Sequence, residues 1–261
     1  MTAARSAKIV LPRTEIDGRP PSVENLLIPA LVNYGHITVM QVRDRAVRGL
    51  DLHLARLDAA NRELYGIGLD GDRVRDRIRH ALDDVADATV RVTVFRRDTD
   101  HVSVMVTVRP PAEAPAVPQA LRSVVYQRPV PHIKHTGSFG QIHYGLRAER
   151  EGYDDVLLID RDGVVSEAGI ANVLCHDGGT FVWPAAPALP GITMLLLDRA
   201  GLGGQRRTIR RADLPSCAAV FLTNSSGVAP VGRVDDQDIP GNPEITKRLT
   251  GLYASIPWEV I

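Results

Sequence analysis

Only three of the 31 basic side chains in this 261-residue sequence are lysines: Lys8, Lys134 and Lys247. Chemistry that needs an amine nucleophile therefore has three candidates. Lys247 follows Glu244 by three residues on a helical stretch, the spacing of a solvated ion pair. Lys8 sits in an edge-like segment near the start. Both read as surface charges. Lys134 stands in Val130-Pro131-His132-Ile133-Lys134-His135-Thr136-Gly137-Ser138-Phe139-Gly140, which has no helix or strand period. An amine held in a half-apolar, proline- and glycine-bounded loop loses proton affinity and can attack a carbonyl. His132, His135 and His143 crowd the same loop; a cofactor pocket accounts for them as well as a metal site does, and no metal is expected. Cys175 and Cys217 lie in apolar strand-like stretches with no C-x-x-C spacing and read as inert core thiols. Gly201-Leu202-Gly203-Gly204 has no strand before it, as a dinucleotide fingerprint requires, and reads as a loop.

Composition narrows the partners. The chain balances 31 basic against 31 acidic side chains, so nucleic acid and anionic membranes are not expected partners. At 44% apolar and 24% charged, it is an ordinary globular sequence. The first residues lack the apolar run of a secretory signal, and no 18-residue apolar stretch occurs, so a cytoplasmic protein is expected.

The elements that must position Lys134 fall into two groups. In the first, residues 38–43 alternate as a strand and turn at Asp44-Arg45. Helical periods follow at 51–65, with Leu54, Leu57, Asn61 and Leu64 on one face, and at 72–85, with Val74, Ile78, Leu82 and Val85. Two alternating strands cover 89–96 and 101–109. Pro110, Pro111, Pro115 and Pro118 then permit neither helix nor ladder, which marks a linker at 111–118 between an α/β domain at 1–110 and a second at 119–261. The second group reads as a strand at 121–128, a helix at 140–151 and a hairpin turning at Arg161-Asp162-Gly163. Strands at 171–175 and 180–183, a helix from about 191, strands at 220–223 and 228–231, and a final helix at 243–254 complete it.

Five stretches in order resemble the class IV aminotransferase family, the fold-type-IV pyridoxal-phosphate (PLP) enzymes, and the resemblance covers about Tyr34 to Pro230. They are His53-Leu54-Ala55-Arg56-Leu57, the Lys134 loop, Gly152-Tyr153-Asp154-Asp155 with its following strand, Gly163-Val164-Val165-Ser166-Glu167-Ala168-Gly169-Ile170-Ala171-Asn172, and Leu189-Pro190-Gly191-Ile192-Thr193. The resemblance implies a two-domain α/β fold of the α+β type, with PLP in the cleft between the domains and a homodimer whose partner lines the pocket. It gives Lys134 the place of the Schiff-base lysine and proton carrier. Glu167 takes the place of the carboxylate facing the pyridine nitrogen, which keeps the ring an electron sink. Arg56, Gly191, Ile192 and Thr193 are expected around the phosphate, with Thr223 and Asn224 supplying further bonds and Asn172 ordering the Glu167 hairpin. The implied reaction moves an amino group between an amino acid or amine and a 2-oxo acid or ketone.

Two positions depart from the branched-chain members. Thr38 stands in the early stretch where many members carry an acid, as in the lyase branch, and is a catalytic candidate. Phe139 replaces the tyrosine expected five residues after the lysine; Tyr34 and Tyr144 are the residues that could compensate. His36, Tyr34 and His135 are substrate-contact candidates. Elimination in the manner of aminodeoxychorismate lyase is the alternative reaction, and a catalytically silent binding protein of the same fold is the third reading.

Overall fold

The computed structural model describes residues 12–98 and 101–261, so Lys8 lies outside the described residues. The first unit runs β1 (Arg13–Ile16), α1 (Val23–Leu31), β2 (Gly35–Arg43), β3 (Ala46–Val47), α2 (Leu50–Tyr65), α3 (Gly71–Leu82), β4 (Ala88–Arg96) and β5 (Val102–Arg109). The second begins with β6 (Gln119–Val125), α4 (Phe139–Arg150), β7 (Asp155–Ile159), β8 (Val165–Ala168), β9 (Asn172–His176) and β10 (Phe181–Pro184). It continues with α5 (Ile192–Arg199), β11 (Gln205–Arg207), a 3-10 turn (Arg211–Ser216), β12 (Ala219–Asn224), β13 (Gly227–Val234), β14 (Gln237–Asp238) and α6 (Pro243–Ser255). The last strand is β15 (Glu259–Val260).

The alternating valines of β4 and β5 send one face of the sheet into the core. Val90, Val92 and Val94 from β4 and Val102, Val104, Val106 and Val108 from β5 are buried with Leu57, Val74, Ile78 and Leu82 of α2 and α3. The helical faces read from spacing are thus the faces that pack. Helix α3 stops at Leu82, short of Val85, because Asp83 turns left-handed (φ +52°). At its other end the Asp70 carboxylate accepts from the Asp72 and Arg73 backbone N–H groups. The sheet order is β1-β5-β4-β2-β3-β15, so the chain returns from α6 to finish the first sheet with residues far outside 1–110. There Ile261 is buried in the first core, and Arg48 lies between the Tyr253 and Trp258 rings at 4.6 and 4.3 Å.

The proline-rich stretch runs between β5 and β6 without helix or strand. Beyond it a curled nine-stranded sheet, β11-β10-β9-β12-β13-β6-β7-β8 with β14 beside β13, wraps one apolar core. A second core forms where α5 and α6 cover Leu174, Phe181, Trp183 and Phe221. Among the described residues no helix is long and apolar enough to cross a membrane.

Candidate active site

The Lys134 loop is sewn to β2 by main-chain bonds. Ile37 N–H donates to the Lys134 carbonyl at 2.7 Å, and Thr136 N–H donates to the Gly35 carbonyl at 2.8 Å. From the other side Arg128 donates to the carbonyls of Ile133, at 2.7 Å, and Pro131. A loop so pinned presents one side chain in one place. Burial, then the charges of Arg56 and Arg128, lower the Lys134 ammonium from its usual 10.5 to about 8. An amine with that proton affinity is partly neutral at physiological pH and able to act as a nucleophile.

Glu167 faces the same space from β8. Its Oε1 accepts from Arg128 Nε at 3.0 Å with both side chains buried, and its Oε2 accepts the Leu189 N–H at 3.2 Å. Arg56 reaches from α2 to donate to the Pro190 carbonyl. Burial first, then the charge of Arg128, lower its guanidinium to about 10. Helix α5 starts at Gly191 with no side-chain cap, which leaves its first N–H groups free for an anion. Thr193 Oγ1 donates to the Asn224 carbonyl at 2.5 Å and ties this helix start to the turn after β12. On the neighbouring strand the Thr223 hydroxyl is buried without a hydrogen-bond partner.

Other expected residues lie elsewhere. Asn172 donates from Nδ2 to the Leu189 carbonyl at 2.7 Å, so it holds the loop before α5. Thr38 faces α2, where its Oγ1 meets His53 Nδ1 at 2.6 Å with both groups buried. His53, lowered to about 3 chiefly by burial, is neutral. His36 is buried under α2; its Nε2 bonds Asn61 Oδ1 at 3.2 Å, and burial lowers it to about 4. Since Asn61 Nδ2 donates to the Ile67 carbonyl, His36 Nε2 is the donor to Asn61. Tyr34 is 54% exposed and packs edge-on to Tyr65 at 6.0 Å. His135 donates from Nε2 to the Pro129 carbonyl at 2.9 Å. Phe139 is 79% exposed and stacks on His143, and Tyr144 packs on Tyr126 at 5.4 Å. The three histidines diverge: His132 pairs with Glu63 on the surface, His135 bonds its own loop, and His143 lies on α4. Among the described residues no three metal-ligating side chains converge.

Two site residues have no counterpart in the sequence reading. Arg128 is one, because 28 arginines offer no filter by type; the Arg-Pro step ahead of the loop is the only local sign. Arg91 on β4 is the other. It is half-buried, bonds Thr93 Oγ1 at 3.3 Å, and adds to the positive field at Lys134. No carboxylate pairs with it among the described residues.

Around Lys134, the charges of Arg56, Arg128 and Arg91 thus face Glu167 as the one carboxylate acting on the amine among the described residues, with free helix N–H groups and an unpartnered hydroxyl nearby. That imbalance suits a ligand bearing a phosphate, and the amine and carboxylate suit its aldehyde and ring nitrogen. The sequence pattern of class IV aminotransferases matches residues 35–234. The chain belongs to that family. The family's cofactor, PLP, fits the residues present: an uncapped helix start, an orphaned threonine hydroxyl and a low-affinity amine.

A protein of Aquifex aeolicus assigned as a branched-chain-amino-acid aminotransferase is 33% identical over 113 residues, covering 39% of this chain and 36% of the relative. The chain matches between 24% and 38% of the length of the curated relatives it resembles. Among solved structures, a hypothetical aminotransferase of Mycobacterium tuberculosis in its PLP-bound form has a TM-score of 0.77 at 21% identity, covering 88% of this chain and 90% of that one. A Legionella pneumophila protein assigned as a 4-amino-4-deoxychorismate lyase has a TM-score of 0.78 at 20% identity, covering 91% and 96%. These likenesses establish a shared fold.

Proposed function

We propose that the chain is a PLP-dependent aminotransferase that moves an amino group between an amino acid or amine and a 2-oxo acid or ketone. The observation that carries this reading is Lys134, an amine lowered to about 8, opposite a buried Glu167 in a cleft with excess positive charge. When bound, PLP supplies an aldehyde carbon for amine attack and a ring that accepts the electron pair released at the substrate carbon.

This chain's residues do the rest. Lys134 Nζ would attach the cofactor and, when free, would carry the proton to and from the substrate carbon. Glu167 would face the ring nitrogen and favour its protonated form, and Arg128 donates to that carboxylate and holds it in place. Arg56, the Gly191-Ile192-Thr193 helix start and Thr223 take the phosphate. Asn224 supports that set through its carbonyl bond to Thr193. Arg91, lacking a carboxylate partner among the described residues, takes a carboxylate of the substrate.

A homodimer is part of the proposal. Val23, Leu26, Leu27 and Leu31 of α1 and Phe139, Ile142 and Leu146 of α4 are exposed apolar side chains that a second copy would cover. The two free cysteines are consistent with a reducing cytoplasm.

Elimination in the manner of aminodeoxychorismate lyase is the second reading, favoured by an exposed Phe139 where the branched-chain members carry a tyrosine. Borohydride trapping of the PLP-loaded protein followed by peptide mapping tests the first step. Label on Lys134 is expected, and label only on Lys8 or Lys247 refutes the assignment. A spectral screen of half-reactions with amines of both hands, run beside an assay for pyruvate and 4-aminobenzoate release from aminodeoxychorismate, separates the two reactions.

A further inference from the structure

Three consecutive backbone groups ahead of α5 are each gripped by a side chain from a different element. The Leu189 N–H donates to Glu167 of β8, the Leu189 carbonyl accepts from Asn172 of β9, and the Pro190 carbonyl accepts from Arg56 of α2. The next residue, Gly191, caps α5 with φ −63° and ψ 141°, a backbone that any residue adopts. Its glycine is therefore not explained by conformation. It is explained by space: a Cβ built there would lie 1.9 Å from Asn172 Oδ1 and 3.1 Å from Asn172 Cγ. The amide of Asn172 fills the place of the missing side chain and hydrogen-bonds the residue two positions earlier.

We propose that Asn172 is the positioning residue of the phosphate cup and that Gly191 is glycine to admit it. The two form a lock that aims the free N–H groups of α5 into the cleft, without Asn172 touching the ligand. The anion it serves is the cofactor phosphate, so this inference rests on the PLP reading above.

A double-mutant cycle tests it, with apoprotein titrated with PLP and the same four proteins melted without it. Gly191→Ala keeps an allowed backbone, yet it forces the methyl against Asn172 and is expected to weaken PLP binding by about tenfold or more and to lower Tm. Asn172→Ala frees the Leu189 carbonyl and weakens binding severalfold. In the double variant the collision is gone, so it binds PLP more tightly and melts higher than Gly191→Ala alone, a non-additivity that a diffuse loss of structure does not produce. If Asn172→Ala does not fold, Asn172→Ser takes its place in the cycle. A Gly191→Ala protein with unchanged affinity and a raised Tm, the usual result where a Cβ has room, overturns the lock. So does strict additivity. Failure of the wild type to take up PLP refutes the cofactor reading instead, and the melting cycle still decides whether the lock exists.

Discussion

Replacing Lys134 with methionine in the apoprotein tests the electrostatics of the cleft without any turnover. In the folded chain the ammonium loses its proton near pH 8; in the unfolded chain it does so near 10.5. Between those values the unfolded state holds a proton that the native state has released, so stability rises with pH. Well below pH 8 both states are protonated, and the buried charge costs the fold about 3 kcal/mol at ~1.4 kcal/mol per pH unit. Roughly 2 kcal/mol of that is regained between pH 7 and 9.5 by the linkage relation. The methionine variant keeps the stem and has no proton to lose. Denaturant unfolding of both proteins at the two pH values isolates the lysine, because other titrating groups cancel in the difference. The wild type should gain about 2 kcal/mol more than Lys134→Met over this interval. Equal gains, or a larger gain in the variant, refute a lysine destabilised by burial beside Arg56 and Arg128.

Further perturbations read other parts of the site. Glu167→Gln strands the buried Arg128 guanidinium and should lower stability by about 3–5 kcal/mol in denaturant unfolding; adding Arg128→Met should restore part of that stability but not the half-reaction with amino donors. Thr38→Val leaves His53 Nδ1 without its 2.6 Å partner and should cost about 1–3 kcal/mol, measured the same way. If α1 and α4 pair two copies, Phe139→Asp should halve the mass seen by light scattering, and an unchanged mass removes Phe139 from the interface. Arg56→Met should raise the dissociation constant for PLP by about 10- to 100-fold, the worth of a charge-assisted phosphate bond.

What the sequence made readable follows what each element buries. Helices α2 and α3 pack a single apolar face, so spacing alone located them. Helix α1 buries no residue in this chain and contains Pro29, so no face stood out. Strand β15 is two residues long and exists only because β3 offers an edge, a partnership that local pattern cannot express. The same contrast holds in the site. Lys134 was conspicuous because lysine is rare here, whereas Arg128, with the closer grip on Glu167, was hidden among 28 arginines. His36 and Thr38 lie on alternate positions of β2, and that parity sends both toward α2.

The parity of β2 also bears on the choice between transfer and elimination. Thr38 could act on a substrate only if its hydroxyl left His53, yet the imidazole is buried, neutral and without another partner for Nδ1. Breaking a buried bond of that kind during each turnover opposes catalysis by about 1–3 kcal/mol. The lyase reading therefore gains little from Thr38 as it is placed, and its weight falls on residues such as Arg91, which lies beside Val39 on the neighbouring strand and adds to the positive field at Lys134. An elimination that survives Thr38→Val with little loss of rate would show that the hydroxyl belongs to the scaffold that carries Arg56, since His53 and Arg56 are one turn apart on α2.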